Sequence, residues 1–384
     1  MHDLIIVGGG PSGASAAKKA SAAGLSVLLF EKEKFPRYKP CAGAVSVRAL
    51  SYLGGNLPEV LIDNVVYGAR VKYRDNIVEA FKQEKVALLT TRSRFDGYLL
   101  AEAQAAGTEI RVDKIVDFEE EDDHVRVICR QGKEYRAKYL IIAEGAQGNL
   151  KYKISGRNYK KRNGFALVVE IETADGLGSS FNPQLMDIQF GITRMGYGWV
   201  FPHTSYYSVG MAGMGCYMKK GRNQCLEFLQ RCGFPPVSAL KGHTIPIGGP
   251  RQKLVGKRTL LCGDAGGFVD SFSGEGIAYA IRSGQLAAEQ IAGHLKKNRA
   301  PDLSPYERDC KQEFDENLKY SYLLLKYINK FPGLVFNIFM RDNRFLHQAL
   351  DIPLMKNTYR RIFLDLTSAA SPFLKQERSA QKVN

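Results

Sequence analysis

The stretch DLIIVGGGPSGASAAKKASAAGLSVLLFEK, residues 3–32, decides the fold. An apolar run over residues 3–7 ends in glycines and is followed by a helical stretch rich in small residues, 11–24. A second apolar run then ends at an acidic residue, Glu31. A strand, a glycine turn, a helix and a second strand within about 30 residues are typical of a βαβ unit. The sequence therefore predicts an α/β domain with parallel strands at the start of the chain.

The glycines of this turn have the spacing Gly8-x-Gly10-x-x-Gly13, which suits a bound dinucleotide. Gly8 permits the tight turn, Gly10 lets a pyrophosphate approach the backbone, and Gly13 lets helix and strand pack closely. The N-terminus of the helix then faces the phosphates. Glu31 can accept both hydroxyls of an adenosine ribose, and its charge would repel a 2′-phosphate. The pattern predicts tightly held FAD or NAD, not NADP.

A second glycine element, LLCGDAGGFVDSFSGEGIAYAI at residues 260–281, decides between these cofactors. Asp264 follows a strand, and a helix begins near Gly274–Gly276. Asp264 can bind a ribityl hydroxyl, and the amides around Gly276 and Ile277 can face a flavin ring and stabilise negative charge on its reduced form. Two such elements suit one long cofactor that crosses a single domain, so we predict FAD.

The loop FPRYKPCAGAVS, residues 35–46, places a cysteine in a rigid and basic setting. Prolines on both sides stiffen the path, and the positive charges of Arg37 and Lys39 would favour the thiolate of Cys41. Three roles stay open for Cys41: a packed small residue, a proton donor or redox-active thiol beside the flavin, and a covalent link to the flavin.

These segments together resemble the para-hydroxybenzoate hydroxylase-type flavoprotein superfamily, and three motifs narrow the resemblance to the geranylgeranyl reductase family of FAD-dependent oxidoreductases. KPCAGAVS (39–46) is similar to the K-x-C-G-G loop of that family, and GYGWVFP (196–202) is similar to its aromatic G-Y-x-W-x-F-P segment. RSRFDGYLL (92–100) matches its R-x-x-F-D-x-x-L helix start. The resemblance covers roughly residues 1–300.

The resemblance implies roles for individual residues. The expected cofactor-binding residues, with those of the glycine turn, are Gly8, Gly10, Ser12, Gly13, Glu31, Lys32, Arg37, Cys41, Ala42, Gly43, Arg92, Asp264, Gly274, Gly276 and Ile277. The expected substrate-binding wall near the ring is Tyr197, Trp199, Phe201 and Pro202. Cys41, Tyr197 and Trp199 are the expected catalytic residues. An ordinary place in the core stays open for Trp199, the only tryptophan in the chain.

The resemblance also implies an architecture and a reaction. The expected fold class is α/β (α+β): a Rossmann-type FAD-binding domain with an inserted antiparallel-sheet substrate domain and a helical C-terminal region. The expected domain bounds are 1–64, 88–157 and 250–300 for FAD binding, 65–87 and 158–249 for substrate, and 301–384 for the helical region. The expected reaction saturates C=C bonds of a hydrophobic prenyl-lipid substrate by hydride transfer from reduced FAD. The expected electron donor is external, either NAD(P)H or a reduced redox protein.

The chain departs from the family pattern at two positions. Ala42 stands where the cysteine loop usually has its second glycine. Alanine has a Cβ, so a positive φ at this position would cost energy. Glu144 stands where the superfamily has the aspartate of its A-D-G segment, and its longer side chain leaves its role open.

The charge of the chain limits its partners. The net charge is +15, with basic clusters at 151–162, 219–222, 251–258 and 296–299. These clusters suit either solvated surface or attraction to an anionic membrane surface or a lipid phosphate. Nucleic acid is not an expected partner because no nucleic-acid-binding signature occurs.

The cysteines and the hydropathy indicate where the protein works. Seven irregularly spaced cysteines favour a reduced, cytoplasmic protein and predict neither a disulfide framework nor a metal site. No run of about 18 uncharged apolar residues occurs, so no spanning helix is expected. Peripheral attachment to the inner face of the membrane is a further option. The aromatic run 320–350 stays open as a lid, a membrane-surface helix or core.

Two other functions stay open on this sequence. One is a flavin-dependent monooxygenase or halogenase on the same fold. Halogenases have a W-x-W-x-I-P segment, whereas this chain has Tyr197-x-Trp199-x-Phe201-Pro202. The other is an electron-transfer flavoprotein to quinone. Such proteins usually carry an iron–sulfur module, and the C-x₂-C-x₂-C spacing of such a module does not occur in this chain.

Overall fold

The structure is a computed structural model that describes residues 1–156, 163–173, 180–247, 249, 253–297 and 302–380. Parts of three basic clusters lie outside the described residues, at 157–162, 251–252 and 298–299. The expected domain boundaries at 157/158, 250 and 300/301 also fall at residues outside these ranges.

The first sheet is built mainly from parallel strands and is seven-stranded within the described residues. Its strands are β1 (His2–Val7), β2 (Val27–Glu31), β8 (Glu109–Val112), β9 (Ile115–Glu120), β10 (Val125–Cys129), β11 (Glu134–Ile142) and β17 (Thr259–Leu261). The order is β8-β2-β1-β11-β10-β9, and β17 pairs with β11. β1 pairs in parallel with β2 and β11. The central strands are buried and apolar because both faces of a parallel sheet are covered.

Three helices share one hydrophobic core with this sheet. They are α1 (Pro11–Ala22), α3 (Arg92–Ala105) and α6 (Ile277–Lys297). α1 packs against both α3 and α6. A small sheet lies beside them, with β3 (Ala44–Ser46), β4 (Asn64–Val66) and β7 (Ala87–Leu89) in the order β3-β7-β4. The short helix α2 (Val47–Tyr52) follows β3 directly.

The second sheet is mainly antiparallel and is also seven-stranded within the described part of the chain. Its order is β16-β12-β15-β14-β13-β5-β6. The strands are β5 (Gly68–Tyr73), β6 (Asn76–Phe81), β12 (Asn163–Glu172), β13 (Leu185–Phe190), β14 (Gly196–Pro202), β15 (Tyr206–Met214) and β16 (Lys241–Pro246). Helix α5 (Gly221–Arg231) packs on β15 and β12. A single turn of helix, α4 (Tyr152–Ser155), lies between β11 and β12 in the chain.

The C-terminal region is helical, and its helices pack on one another and on the second sheet. They are α7 (Ser304–Cys310), α8 (Glu316–Lys330), α9 (Pro332–Arg341), α10 (Arg344–Leu350) and α11 (Tyr359–Ala380). α9 and α10 both contact β6. None of the helices in the described ranges is both long and apolar enough to cross a bilayer.

The predicted fold class is confirmed: a Rossmann-like domain, a second sheet and a helical C-terminal region are all present. One detail of the second sheet differs from the expected antiparallel arrangement, because β5 pairs in parallel with β13. β5 comes from an early segment of the chain, far from β13 in sequence. Such a distant strand is not restricted to the antiparallel pairing that a short hairpin imposes.

Candidate active site

One cavity of about 710 Å³ connects the first sheet, the second sheet and the C-terminal helices. Its polar part, which we call the dinucleotide end, is lined by Gly8, Gly10, Ser12, Glu31, Lys32, Arg37, Ala143 and Asp264. Its other part, the apolar arm, is lined by Ala69, Val71, Val78, Met186, Ile188, Ile328, Phe336, Phe339, Leu346, Ala349 and Leu350. A volume of this order is typical of sites that bind a cofactor or another small ligand.

The glycine turn after β1 shapes the dinucleotide end. Gly8 has φ +108°, and a Cβ there would lie 2.3 Å from the Ala143 carbonyl oxygen. At Gly10 a Cβ would meet only Arg37 Nη2, at 3.6 Å, so this position opens onto the cavity. The open backbone at the start of α1 is the cradle that a pyrophosphate needs. The residues present therefore fit the phosphates of FAD.

Glu31 ends β2 at the edge of the same cradle. Its side chain is buried, and its two carboxylate oxygens accept hydrogen bonds from the Gly9 and Glu33 amides, at 2.7 and 3.1 Å. Because the carboxylate lines the cavity and is held by backbone donors, it is oriented to accept from a ligand hydroxyl. This arrangement fits an adenosine ribose.

A buried ion network lies beyond the cradle. The Arg92 Nε and Nη2 groups donate to Asp96 Oδ1 and Oδ2 at 2.7 and 2.8 Å, and Arg37 Nη2 lies 3.1 Å from Asp96 Oδ2. Burial by itself would lower the pKa of Arg92, but the Asp96 carboxylate overrides burial and raises it. Both arginines line the cavity as fixed positive charges, and Arg92 also interacts with Cys41.

The cysteine loop forms the wall between the two parts of the cavity. Cys41 is half-buried, and its Sγ accepts from the Gly43 amide at 3.4 Å. The positive φ of this loop falls at Gly43 (φ +79°), where a Cβ would lie 2.1 Å from the Thr90 carbonyl oxygen. Non-glycine residues with positive φ occur in the described chain at Arg74, Met195 and Met355. Ala42 therefore fits the loop without backbone strain.

The second glycine element lies opposite this loop. Asp264, Gly274, Gly276 and Ile277 all line the cavity. Gly276 lies close to Asp264, because a Cβ there would be 3.5 Å from Asp264 Oδ1. The turn is tied to the second sheet by the Tyr197 hydroxyl, which donates to the Ser273 carbonyl oxygen. The residues expected to contact the flavin therefore lie next to the aromatic segment in the cavity wall.

The aromatic segment is β14, and its alternation decides which side chains face the cavity. Tyr197, Trp199 and Phe201 line the cavity, because alternate residues of a strand share a face. Gly198 lies on the other face, against Phe228 of α5. Trp199 is buried, and its Nε1 has no hydrogen-bond partner within the described residues. Gly13, Gly43 and Pro202 lie outside the cavity wall.

Lys39 and His243 are among the polar wall residues that lie outside the set predicted from sequence. Lys39 Nζ lies 2.8 Å from His243 Nε2 of β16. Burial lowers the pKa of Lys39, and it lowers the pKa of His243 to about 4 with help from the Lys39 charge. His243 is therefore neutral at physiological pH, and its Nε2 can accept a hydrogen bond from Lys39 Nζ. The pair could not be predicted from the sequence, because one histidine in a strand carries no recognisable motif.

Glu144, where the family has aspartate, lines the cavity beside the glycine turn. Burial raises the pKa of its carboxyl group, although the Lys151 amide donates to Glu144 Oε1 at 3.1 Å. The aromatic run 320–350, for which a lid, a membrane-surface helix and core are the three expected roles, contributes to the cavity wall. Its residues Ile328, Phe336 and Leu346 are buried and also line the apolar arm.

Comparison with known proteins finds a matching family model, and relatives that span most of the chain. A family model described as pyridine nucleotide-disulphide oxidoreductase matches residues 2–188. An uncharacterized protein of Methanosarcina barkeri is 31% identical over 354 residues, covering 88% of this chain and 87% of that protein. The geranylgeranyl diphosphate reductase of Rhodobacter capsulatus is 28% identical over 316 residues, covering 79% of this chain and 78% of the relative.

Solved structures share the fold along nearly the whole chain. A geranylgeranyl bacteriochlorophyll reductase-like protein from Thermoplasma acidophilum superposes with a TM-score of 0.80 at 22% identity, covering 99% of this chain and 98% of that one. The flavin-dependent brominase Bmp2 superposes with a TM-score of 0.74 at 18% identity, covering 98% and 99%. At these identities the superpositions establish the fold alone.

Proposed function

We propose, from the premise that this chain belongs to the geranylgeranyl reductase family of FAD-dependent oxidoreductases, that it saturates C=C bonds of a prenyl lipid. The observation that carries the proposal is the continuity of the cavity. Its dinucleotide end fits FAD, and its apolar arm offers a long hydrocarbon wall to a chain of branched apolar units. Relatives that are named reductases, and that align with this chain over most of their length, support the same reaction class.

The cofactor and the residues of the cavity wall have separate roles in the proposed reaction. When bound, reduced FAD supplies the hydride for one carbon of the double bond. Tyr197, Trp199 and Phe201 would orient the prenyl chain at the junction of the two parts of the cavity. Apolar packing around this junction would exclude water, so that the proton for the other carbon comes from a held side chain.

A spectroscopic experiment tests the reaction class. Reduced protein is mixed anaerobically with geranylgeranyl diphosphate or with a glycerophospholipid that bears geranylgeranyl chains. We expect the absorbance of oxidised FAD to return in proportion to the added double bonds. No return with either lipid would count against the proposal, and brominated products in air with bromide would favour a halogenase on the same fold.

Cys41 is our proposed proton donor to the second carbon. It is half-buried in the cavity wall between the cofactor cradle and the aromatic segment, with Arg92 beside it. Replacing Cys41 with alanine is expected to keep FAD bound and to reduce turnover by roughly 100-fold, the size of a lost general acid. The matched control is the exposed Cys216→Ala. Unchanged turnover of Cys41→Ala would leave Cys41 a packing residue.

The functional residues and the domain bounds remain proposals that the fold supports. The strands of the first sheet come from residues 2–31, 109–142 and 259–261, and the strands of the second sheet come from 68–81 and 163–246. These segments agree with the proposed FAD-binding and substrate parts. The proposed electron donor is external, either NAD(P)H or a reduced redox protein.

An anionic membrane surface is the proposed partner at the open end of the apolar arm. The exposed residues Asn76 and Met340 line the cavity, so the arm reaches the surface there. Ile77 and Met340 are 38% and 42% exposed. The basic residue Arg74 lies in the turn between β5 and β6, close to Ile77 in sequence, and Arg344 begins α10, shortly after Met340. Exposed apolar side chains beside positive charges suit peripheral contact with anionic lipid. A cytoplasmic location stays a prediction.

Vesicle binding tests this membrane contact. The protein is expected to sediment with phosphatidylglycerol vesicles and to be released by salt, because the attraction is partly electrostatic. Met340→Glu is expected to weaken binding several-fold, since it places a negative charge in the contact. Val60→Glu is the control, because Val60 is 73% exposed and lies away from the arm. Equal loss in both variants would contradict this placement.

A further inference from the structure

His203 lies directly behind the cysteine loop, one residue after β14. Its side chain is only 1% exposed, and its ring stacks on Tyr206 with centroids 4.2 Å apart. A Cβ on Gly43 would lie 3.0 Å from His203 Cε1, so the ring touches the loop itself. His203 is outside the cavity wall and has no part in the chemistry proposed above.

Both ring nitrogens of His203 face hydrogen-bond acceptors. Nδ1 lies 3.0 Å from Asp63 Oδ2, and Nε2 lies 3.1 Å from the Ala42 carbonyl oxygen. A neutral imidazole carries one N–H and can serve one of these acceptors, which leaves a lone pair facing the other. A buried contact between two lone pairs is unfavourable, whereas an imidazolium serves both acceptors with charge-assisted hydrogen bonds.

We infer that His203 is held as a doubly protonated imidazolium and acts as the positioning residue that fixes the Cys41 loop through the Ala42 carbonyl group. The loop is held from its other side by the Thr90 amide, which donates to the Gly43 carbonyl oxygen at 3.0 Å. The Ala42 carbonyl is thus clamped directly beside Cys41. The functional meaning of the clamp rests on the proposed place of Cys41 beside the flavin, but the protonation state does not.

The groups that face His203 support a positive ring. Burial alone would raise the pKa of Asp63, but the hydrogen bond and charge of His203, with Arg94, lower it, so Asp63 is a carboxylate. Arg94 Nη1 lies 2.6 Å from Asp63 Oδ1. Glu170 is the other nearby acid, and burial raises the pKa of its carboxyl group.

The remaining titratable neighbours are tyrosines and the cysteine itself. Burial raises the pKa of Tyr206, and burial with the Glu170 charge raises the pKa of Tyr38 to about 12. Both phenols are therefore neutral at physiological pH. Cys41 is a further titratable group of this neighbourhood. Asp63 is the ionised partner in direct contact with the ring.

Nitrogen NMR of the full-length protein with bound FAD, labelled with ¹⁵N-histidine, tests the protonation state. The chain has six histidines, and a His203→Gln variant assigns the signal. We expect both His203 nitrogens to carry a proton in the folded protein at neutral pH, because each faces an acceptor. A signal with one unprotonated nitrogen at this pH would overturn the inference.

Asp63→Asn supplies a second test that leaves His203 in place. The amide removes the negative charge that favours the imidazolium, so His203 is expected to show a single protonated nitrogen at neutral pH. A ring that stays doubly protonated in this variant would contradict the assigned role of Asp63.

Alkylation of Cys41, followed peptide by peptide with mass spectrometry, tests the positioning role. A glutamine at 203 has donors only on its single amide nitrogen and carries no charge, so it cannot serve both acceptors as the ring does, and the loop loosens. We expect Cys41 in His203→Gln to react several-fold faster with iodoacetamide. The control is His294→Gln, because His294 is half-buried and its ring nitrogens have no hydrogen-bond partner within the described residues. Equal rates of Cys41 alkylation in the two variants would overturn the positioning role. The protonation state of His203 and the proposed reaction are tested separately by the NMR and lipid experiments.

Discussion

Replacing Gly10 with alanine is expected to give a folded protein that no longer retains FAD. Gly10 has φ −74°, which alanine adopts freely, and an added Cβ would meet only Arg37 Nη2 at 3.6 Å. The methyl group would nevertheless stand in the open cradle at the start of α1, where a pyrophosphate must approach the backbone. We expect the affinity for FAD to fall by roughly 100-fold, as measured by flavin fluorescence during titration.

The matched control for this change is Gly293→Ala in α6. A Cβ at Gly293 would meet nothing within 4 Å, and alanine favours a helix interior over glycine. This variant is expected to bind FAD like the unchanged protein. Circular dichroism would show that both variants are folded. Full FAD content in purified Gly10→Ala would mean that the cofactor does not use this cradle.

Replacing Val78 with tryptophan is expected to stop prenyl turnover while FAD stays bound. Val78 is half-buried on β6 and lines the apolar arm, where it packs near Leu346 and Leu350. An indole at this position would occupy the space that the distal part of a prenyl chain needs. We expect turnover of a geranylgeranyl lipid to fall by more than about 100-fold, because the chain can no longer place a double bond at the ring.

The control for the apolar arm is Val60→Trp, which makes the same change at a position that is 73% exposed and outside the cavity. FAD content and the rate of reduction by dithionite should match in the two variants, since neither change is at the dinucleotide end. Overpacking at Val78 would cost some stability, so the melting temperature is measured as well. Normal turnover in folded Val78→Trp would show that the substrate lies elsewhere.

Local patterns in the sequence predicted the cofactor half of the site. The glycine turn, Glu31 and the second glycine element each carry a backbone requirement that can be recognised from spacing alone. The strand period of β14 also indicates which aromatic side chains share a face, and Tyr197, Trp199 and Phe201 do line the cavity. Pro202, which was grouped with them by motif, has the opposite parity.

The rest of the site depends on contacts between distant segments. His243 and His203 meet the cysteine loop across more than about 160 positions of sequence, as Lys39–His243 and Ala42–His203 contacts. The apolar arm needs β5, β6 and the C-terminal helices together, and no local pattern encodes that meeting. The cost expected at Ala42 also could not be settled from sequence, because only the structure shows that the positive φ falls one residue later, at Gly43.

Prenyl reduction is tested most directly by mass spectrometry of the lipid after anaerobic incubation with the reduced, full-length protein. We expect a geranylgeranyl-bearing lipid to gain H₂ at each double bond that is saturated, and we expect no gain with Gly10→Ala or Val78→Trp. An unchanged lipid mass across diphosphate and phospholipid substrates, with FAD bound and reduced throughout, would contradict prenyl reduction.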